Sequence, residues 1–207
     1  LKMPEITTLA VCDVDAEKTN IAENSFGSEK GTKKIVGYIN CLKMLKEFKP
    51  NIVSICTPTP THVEITKLVA SCPSVKTIFL EKPIAQSLKE ADEILHACKE
   101  YNIRLAINYS RRWSDVYQNL KHRISLPLYM LGVHPGPILR SGSHMVDLYN
   151  WYVISSSSPY WEKTKVQAYG TPRLSAYMNE TGDFNINGQI DYTSASATII
   201  GNFHIPQ

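Results

Sequence analysis

No G-x-G spacing occurs among the ten glycines of this sequence. The usual dinucleotide fingerprint, G-x-G-x-x-G, is therefore not in this chain. No two of the five cysteines, Cys12, Cys41, Cys56, Cys72 and Cys98, form a C-x-x-C pair, and the six histidines are scattered. That excludes the clustered ligand spacing of a metal site. Five unpaired cysteines, two of them in apolar runs, read as small buried thiols in a reducing cytoplasm. No apolar run approaches the ~20 residues of a membrane span. The opening LKMPEITT has no signal-peptide pattern. Neither sign of charge dominates: 22 Lys and Arg are interspersed with 19 Asp and Glu, for a formal charge of +3. Such a balance argues against a dedicated nucleic-acid surface. Neither nucleic acid nor membrane is expected as a partner.

What is present is an alternation. TTLAVCDVD reads as a strand and AEKTNIAENSF as a helix; CLKMLKEFK places Leu42, Leu45 and Phe48 on one helical face. NIVSICTP is a second strand, stopped by Pro58 and Pro60, and HVEITKLVASC is helical. VKTIFLEKP is a third strand. SLKEADEILHACKEYN is a helix with Ser87 and Glu90 as a capping box and a stripe of Leu88, Ala91, Ile94, Leu95 and Cys98. IRLAINYS is a fourth strand. Continuously apolar strands joined by helices are the mark of buried parallel sheets. Residues 1–122 are therefore expected to form a doubly wound α/β domain.

Residues 123–207 differ. A Pro/Gly-rich stretch is followed by the helical HMVDLYNWYV. KVQAYGTP, GQIDYT and SATIIGNFHI then read as strands, the last two pairing antiparallel. This is expected to be an α+β domain.

Open α/β sheets bind ligands outside the carboxyl ends of their strands. The first strand ends at Asp13, with Asp15 close behind; the second at Thr57-Pro58, with His62 opening a helix; the third at Glu81-Lys82-Pro83; the fourth at Asn108, followed by Arg111 and Arg112. An acid at a strand end suits the adenosine ribose of NAD and repels the 2′-phosphate of NADP. Asp13 equally reads as a helix cap, although Asp15 is the better cap. His62 equally closes a turn, and the two arginines equally form a solvated pair. The acid normally follows the glycines by about 20 residues, so the glycine loop is expected upstream of Leu1.

These residues resemble the glucose–fructose oxidoreductase/inositol dehydrogenase/rhizopine-catabolism family (Gfo/Idh/MocA). AVCDVD, VSICTPTPTHVEI, FLEKPIAQSLKEADEI, NYSRRW and GSHMVDLYNW match five of its segments in family order. The resemblance implies a Rossmann domain followed by an α/β domain with a large, open, mainly antiparallel sheet. It implies hydride transfer between NAD(P) and a sugar, cyclitol or related carbinol, with NADP the less expected of the two here. It puts Lys82 in the cleft, with Pro83 holding its turn (after a cis peptide bond in some members), and His144 as acid/base. Asp13, Thr57, Pro58, His62, Glu81, Lys82 and Asn108 become candidate cofactor contacts, and Arg111 and Arg140 candidate substrate contacts. Members commonly pair through the open sheet face, so a homodimer or homotetramer is expected, with Ile190, Tyr192, Ala195, Ala197 and Ile199 as the apolar positions concerned.

Two departures stand out. Arg140 occupies a position where the family often has an aspartate, four residues before the histidine. A guanidinium accepts neither a proton nor a hydrogen bond, so the relay, the substrate or activity itself differs. A non-catalytic paralogue and a redox-neutral NAD-dependent glycosidase remain alternatives. The interval from Trp113 to His144 is also short for the first strand of the large sheet and its connection.

Overall fold

The computed structural model describes residues 6, 8–26, 35–124, 128–134, 142–153, 165–172, 184–192 and 195–201. The chain divides into two compact units, 1–107 and 108–207. The division falls before residue 122, so the segment after Asn108 belongs with the second unit.

The first unit alternates throughout: β1 (Leu9–Cys12), α1 (Ala16–Phe26), β2 (Ile35–Tyr38), α2 (Cys41–Phe48), β3 (Ile52–Ile55), α3 (His62–Ala70), β4 (Thr77–Leu80), α4 (Leu88–Glu100) and β5 (Arg104–Ile107). Every pairing is parallel, β1 with β2 in one sheet and β3-β4-β5 in another. In the order 3-2-1-4-5-6 of doubly wound sheets, β2-β1 take places 3 and 2, and β3-β4-β5 take places 4, 5 and 6. Among the described residues no strand lies between β1 and β3. One core still serves both sheets. Leu45 of α2, Ile55 of β3, Ile78 and Leu80 of β4 and Ile94 of α4 are buried together, and Ala10, Cys12 and Tyr38 pack against them. Each such Ile or Leu contributes about 1.5–3 kcal/mol.

Local chemistry sets the helix starts. Asn40 accepts from Lys43 N at 2.9 Å to cap α2. Ser87 accepts from Glu90 N at 3.2 Å to cap α4. The Glu90 carboxylate reaches back to Gln86 N at 2.9 Å, one residue before the cap. The stripe of α4 is rotated from the expected one: Ile94, Ala97 and Cys98 are buried, whereas Leu88 is 86% exposed and Leu95 is also exposed. The strand β2 was not legible in the sequence, because it is four residues long and contains Gly37. Glu23 of α1 supports it, accepting from Gly37 N at 2.5 Å on the side away from β1. All five cysteines are free; Cys98 is buried, but Cys56, just past β3, is exposed rather than buried. Burial pushes the Cys12, Cys41 and Cys98 thiols up.

The second unit holds a short 3₁₀ turn (Ser110–Trp113), α5 (Asp115–Arg123), β6 (Leu128–His134), α6 (Ser143–Val153), β7 (Lys165–Pro172), β8 (Phe184–Tyr192) and β9 (Ala195–Gly201). The sheet order is β6-β9-β8-β7. The β7–β8 and β8–β9 pairs are antiparallel and β6–β9 is parallel, so the sheet is mainly antiparallel. The interval between Trp113 and His144 does hold a strand, β6, contrary to expectation.

Helix α6 lies on one face of β6. A Cβ at Gly132 would run into the phenol of Tyr149 and approach Met145 at 3.4 Å. Met130 is on that face and buried, whereas Tyr129 and Leu131 alternate to the other face and are 65% and 57% exposed. The register aligns Met130 with Ala197, Gly132 with Ile199, and Ala197 with Ile190. Positions 190, 197 and 199 thus lie on the same face of the sheet as Met130 and Gly132.

Candidate active site

The carboxyl edge of the first unit is built by strand register. Ile55, Leu80 and Ile107 are level across β3, β4 and β5. Glu81 N donates to Ile55 O at 2.9 Å, carrying the ladder one residue beyond β4. The turn containing Lys82 therefore emerges beside Cys56 and Thr57. The Lys82–Pro83 peptide is cis. Lys82 is half-buried, and its N–H lies 3.3 Å from the Glu81 carboxylate.

His62 ties this turn to the one before it. It is 1% exposed. Its Nε2 faces Thr57 O at 3.0 Å and its Nδ1 faces Ile84 O at 3.1 Å. A neutral imidazole donates to one of these carbonyls; only the doubly protonated ring donates to both. Both nitrogens are directed at the protein's own backbone, so the ring joins the turn after β3 to the turn after β4. Thr61 completes the brace, its hydroxyl lying 2.8 Å from both Thr57 Oγ1 and Pro58 O.

Asp13 and Asp15 stand at the end of β1. Asp15 caps α1, accepting from Glu17 N at 2.9 Å. Asp13 accepts from Asp15 N at 3.0 Å through Oδ1. Its Oδ2 takes no hydrogen bond among the described residues. Asn108 directly follows β5.

The second unit assembles a separate group of side chains. His144 sits in the first turn of α6, half-buried. The ring of Tyr109 meets it edge-on, with centroids 5.8 Å apart and planes at 85°. One turn along α6, Asp147 is buried and receives two bonds from Arg112, Nε to Oδ2 at 2.7 Å and Nη2 to Oδ1 at 2.5 Å. Arg112 also lies over Trp151, 5.8 Å from the ring centroid. Its carbonyl accepts from the Gln118 amide. Lys121 donates to Trp151 O and stands 4.7 Å from the same ring. Burial, then the Arg112 charge, pulls the Lys121 ammonium down. Burial, then the Asp147 carboxylate, pushes the Tyr109 phenol up, partly opposed by Arg112. Tyr109 thus remains a neutral phenol.

The sequence singled out Arg111 rather than Arg112, and did not single out Asp147 from its helix. The available signal was the H-x-x-D spacing, which puts Asp147 on the same side of α6 as His144. Arg111 is half-buried, and its Nη1 has no hydrogen-bond partner among the described residues. Arg140 lies outside the described residues. Lys82 and His144 belong to different units. Among the described residues no helix is long and apolar enough to cross a membrane. No group of three or more His, Cys, Asp and Glu side chains among them could hold a metal.

A parallel doubly wound sheet followed by a mainly antiparallel one defines the two-domain class of NAD-binding Rossmann oxidoreductases. Residues 2–109 match the oxidoreductase family with an NAD-binding Rossmann fold, GFO_IDH_MocA. The chain belongs to that family. It is 29% identical over 110 residues to D-apiose dehydrogenase of Paraburkholderia graminis, spanning 53% of this chain and 27% of that protein. It is 28% identical over 144 residues to scyllo-inositol 2-dehydrogenase (NAD(+)) of Bacillus subtilis, spanning 63% and 42%. Its fold resembles that of myo-inositol 2-dehydrogenase from Lactobacillus plantarum, with a TM-score of 0.71 at 24% identity over 97% of this chain and 63% of that one. The matches span less than half the length of these two curated relatives.

Replacing His62 by Ala is expected to cost about 1–3 kcal/mol, since at least one of the two carbonyls loses its donor. Urea denaturation checks this. An unchanged midpoint would mean that the two turns hold themselves.

Proposed function

We propose that this chain forms the cofactor-binding part and some of the substrate-binding part of an NAD-dependent dehydrogenase acting on a sugar, cyclitol or related carbinol. The observation that carries this reading is that Lys82 stands at the carboxyl edge of the parallel sheet, while His144 opens α6 beside Tyr109. The cytoplasm is its proposed compartment.

The residues present fit the dinucleotide. Asp13 keeps Oδ2 for the adenosine ribose. The first cation after it is Lys18, 3.8 Å from Asp15, and an acid at this strand end favours NAD over NADP. Thr57, Pro58, Glu81 and Asn108 are proposed to line the rest of the site, with His62 behind them. The bound nicotinamide supplies the hydride acceptor. His144 takes the proton of the reacting hydroxyl. Lys82 orients that oxygen and offsets its developing charge. Arg111 and Arg140 are the proposed substrate contacts.

The purified protein, given NAD and a panel of polyols, sugars and aryl glycosides, should accumulate NADH with a polyol or sugar. Aglycone release without NADH would indicate the redox-neutral glycosidase instead. Neither signal would indicate a binding protein. His144→Ala should lower turnover by on the order of 10²–10⁴, the usual scale of acid/base catalysis, with NAD affinity nearly unchanged. Lys82→Ala should lower turnover as well.

Calorimetric dissociation constants for NAD and NADP test the ribose assignment. NAD should bind more tightly, and Asp13→Ser should narrow the gap. Tighter NADP binding by the unaltered protein would remove Asp13 from this role.

We also propose a homo-oligomer that pairs through the face of Tyr129 and Leu131, away from α6. Their exposure on a β-strand is the support for this, since a sheet face with exposed apolar groups is a common association surface. Light scattering at micromolar concentration should give a dimer or tetramer, and Leu131→Glu should weaken it. A monomer from the unaltered protein would end the proposal.

A further inference from the structure

We propose that Tyr109, held in place by the Arg112–Asp147 bridge, is a positioning residue that fixes the imidazole plane of His144. The inference rests on the dehydrogenase reading above and adds to it a residue that does not itself touch the reacting atoms.

Position 109 lies in the short segment between β5 and α5, an irregular stretch that would ordinarily be mobile. Here it is anchored on three sides. Arg112, three residues on, grips both oxygens of Asp147 and lies over Trp151. Its carbonyl is held by Gln118 of α5. Lys121 of α5 closes the group by binding Trp151 O on α6. All the bonds to α6 reach the same helix that carries His144. The segment and the helix therefore move together, and Tyr109 keeps its place against the imidazole.

The geometry is specific. At 85° and 5.8 Å the two rings form an edge-to-face pair, the arrangement that aromatic quadrupoles favour by about 0.5–1.5 kcal/mol. A histidine near a helix start rotates about χ2 over a broad, soft range. An aromatic wall perpendicular to the ring narrows that range. A base whose nitrogen is mis-aimed by an ångström loses on the order of 10²-fold in rate, so this narrowing matters for turnover. The phenolic oxygen is not needed for it; the ring is. Burial and the neighbouring carboxylate keep that oxygen protonated, so Tyr109 does not compete with His144 for the proton.

The test compares Tyr109→Phe with Tyr109→Leu and Tyr109→Met. The His144 Hε1 resonance of the cofactor-free protein is identified by its loss in His144→Ala. It should stay close to its original position in the Phe variant and shift in the Leu and Met variants, where the ring current is gone. With NAD and the polyol that gives NADH in the screen, kcat should fall about tenfold to a hundredfold in Leu and Met, with KM and NAD affinity within twofold. The Phe variant should recover most of kcat. A resonance and a kcat that stay unchanged in Leu or Met would overturn the inference, as would loss of kcat in Phe equal to that in Leu. If His144→Ala itself leaves turnover intact, the dehydrogenase mechanism fails instead. Two non-aromatic variants of different shape keep the test open should one fail to fold.

Discussion

The imidazole of His62 has a backbone carbonyl on each side, Thr57 O at one nitrogen and Ile84 O at the other. The two turns it joins are short of donors, because Pro58, Pro60 and Pro83 carry no N–H. Some carbonyls in such turns find their partners on side chains. His62 and Thr61 supply them, and the turns after β3 and β4 become one unit. Lys82 is then fixed on both flanks, by the Glu81 N–H on the β ladder before it and by the held Ile84 carbonyl after it. The placing of the lysine depends on a residue that offers no ring nitrogen to a ligand.

The second unit applies the same division of labour with charge. Asp147 is 9% exposed, and an isolated carboxylate at that depth would be unfavourable. Two charge-assisted bonds from one guanidinium meet both its oxygens and offset its desolvation. The planar fork of arginine does this where a lysine would reach only one oxygen. Trp151 covers the guanidinium and also faces the Lys121 ammonium, so an aromatic ring mediates between two cations that repel each other.

Much of this was legible in the chain because short-range signals agree with one another. The strands before Asp13, Thr57, Glu81 and Asn108, the cap at Ser87 and the helix at His144 are written locally, in apolar runs, a cap hydroxyl and helical spacing. What was not legible depends on partners far along the chain. Arg112 differs from Arg111 only in meeting a carboxylate 35 residues away. Leu88 and Leu95 fit the helical period of α4 but not its phase, which the core beneath Ile94 and Cys98 decides. The strand β2 is four residues with a glycine inside, too weak a signal without β1 beside it. β6 is hidden in a stretch rich in proline and glycine. The double use of His62 is invisible in sequence, where its spacing after Thr57-Pro58 fits a brace and a ligand equally well.

Gly132 gives the absence of a side chain a constructive role. Because the Tyr149 phenol occupies the space where a Cβ would stand, α6 comes close to β6 at a point that only glycine permits. The alternation of the strand ties this approach to its opposite face. Slipping β6 by one residue would drive the bulk of Leu131 or Tyr129 under the helix and expose Met130. The orientation of the histidine-bearing helix and the character of the outer surface are thus encoded in the same few residues and cannot diverge independently. A lineage that remodelled its outer surface by shifting this strand would disturb the seat of α6 with the same step, so variation on that surface is channelled into substitutions at 129 and 131 that leave the register intact.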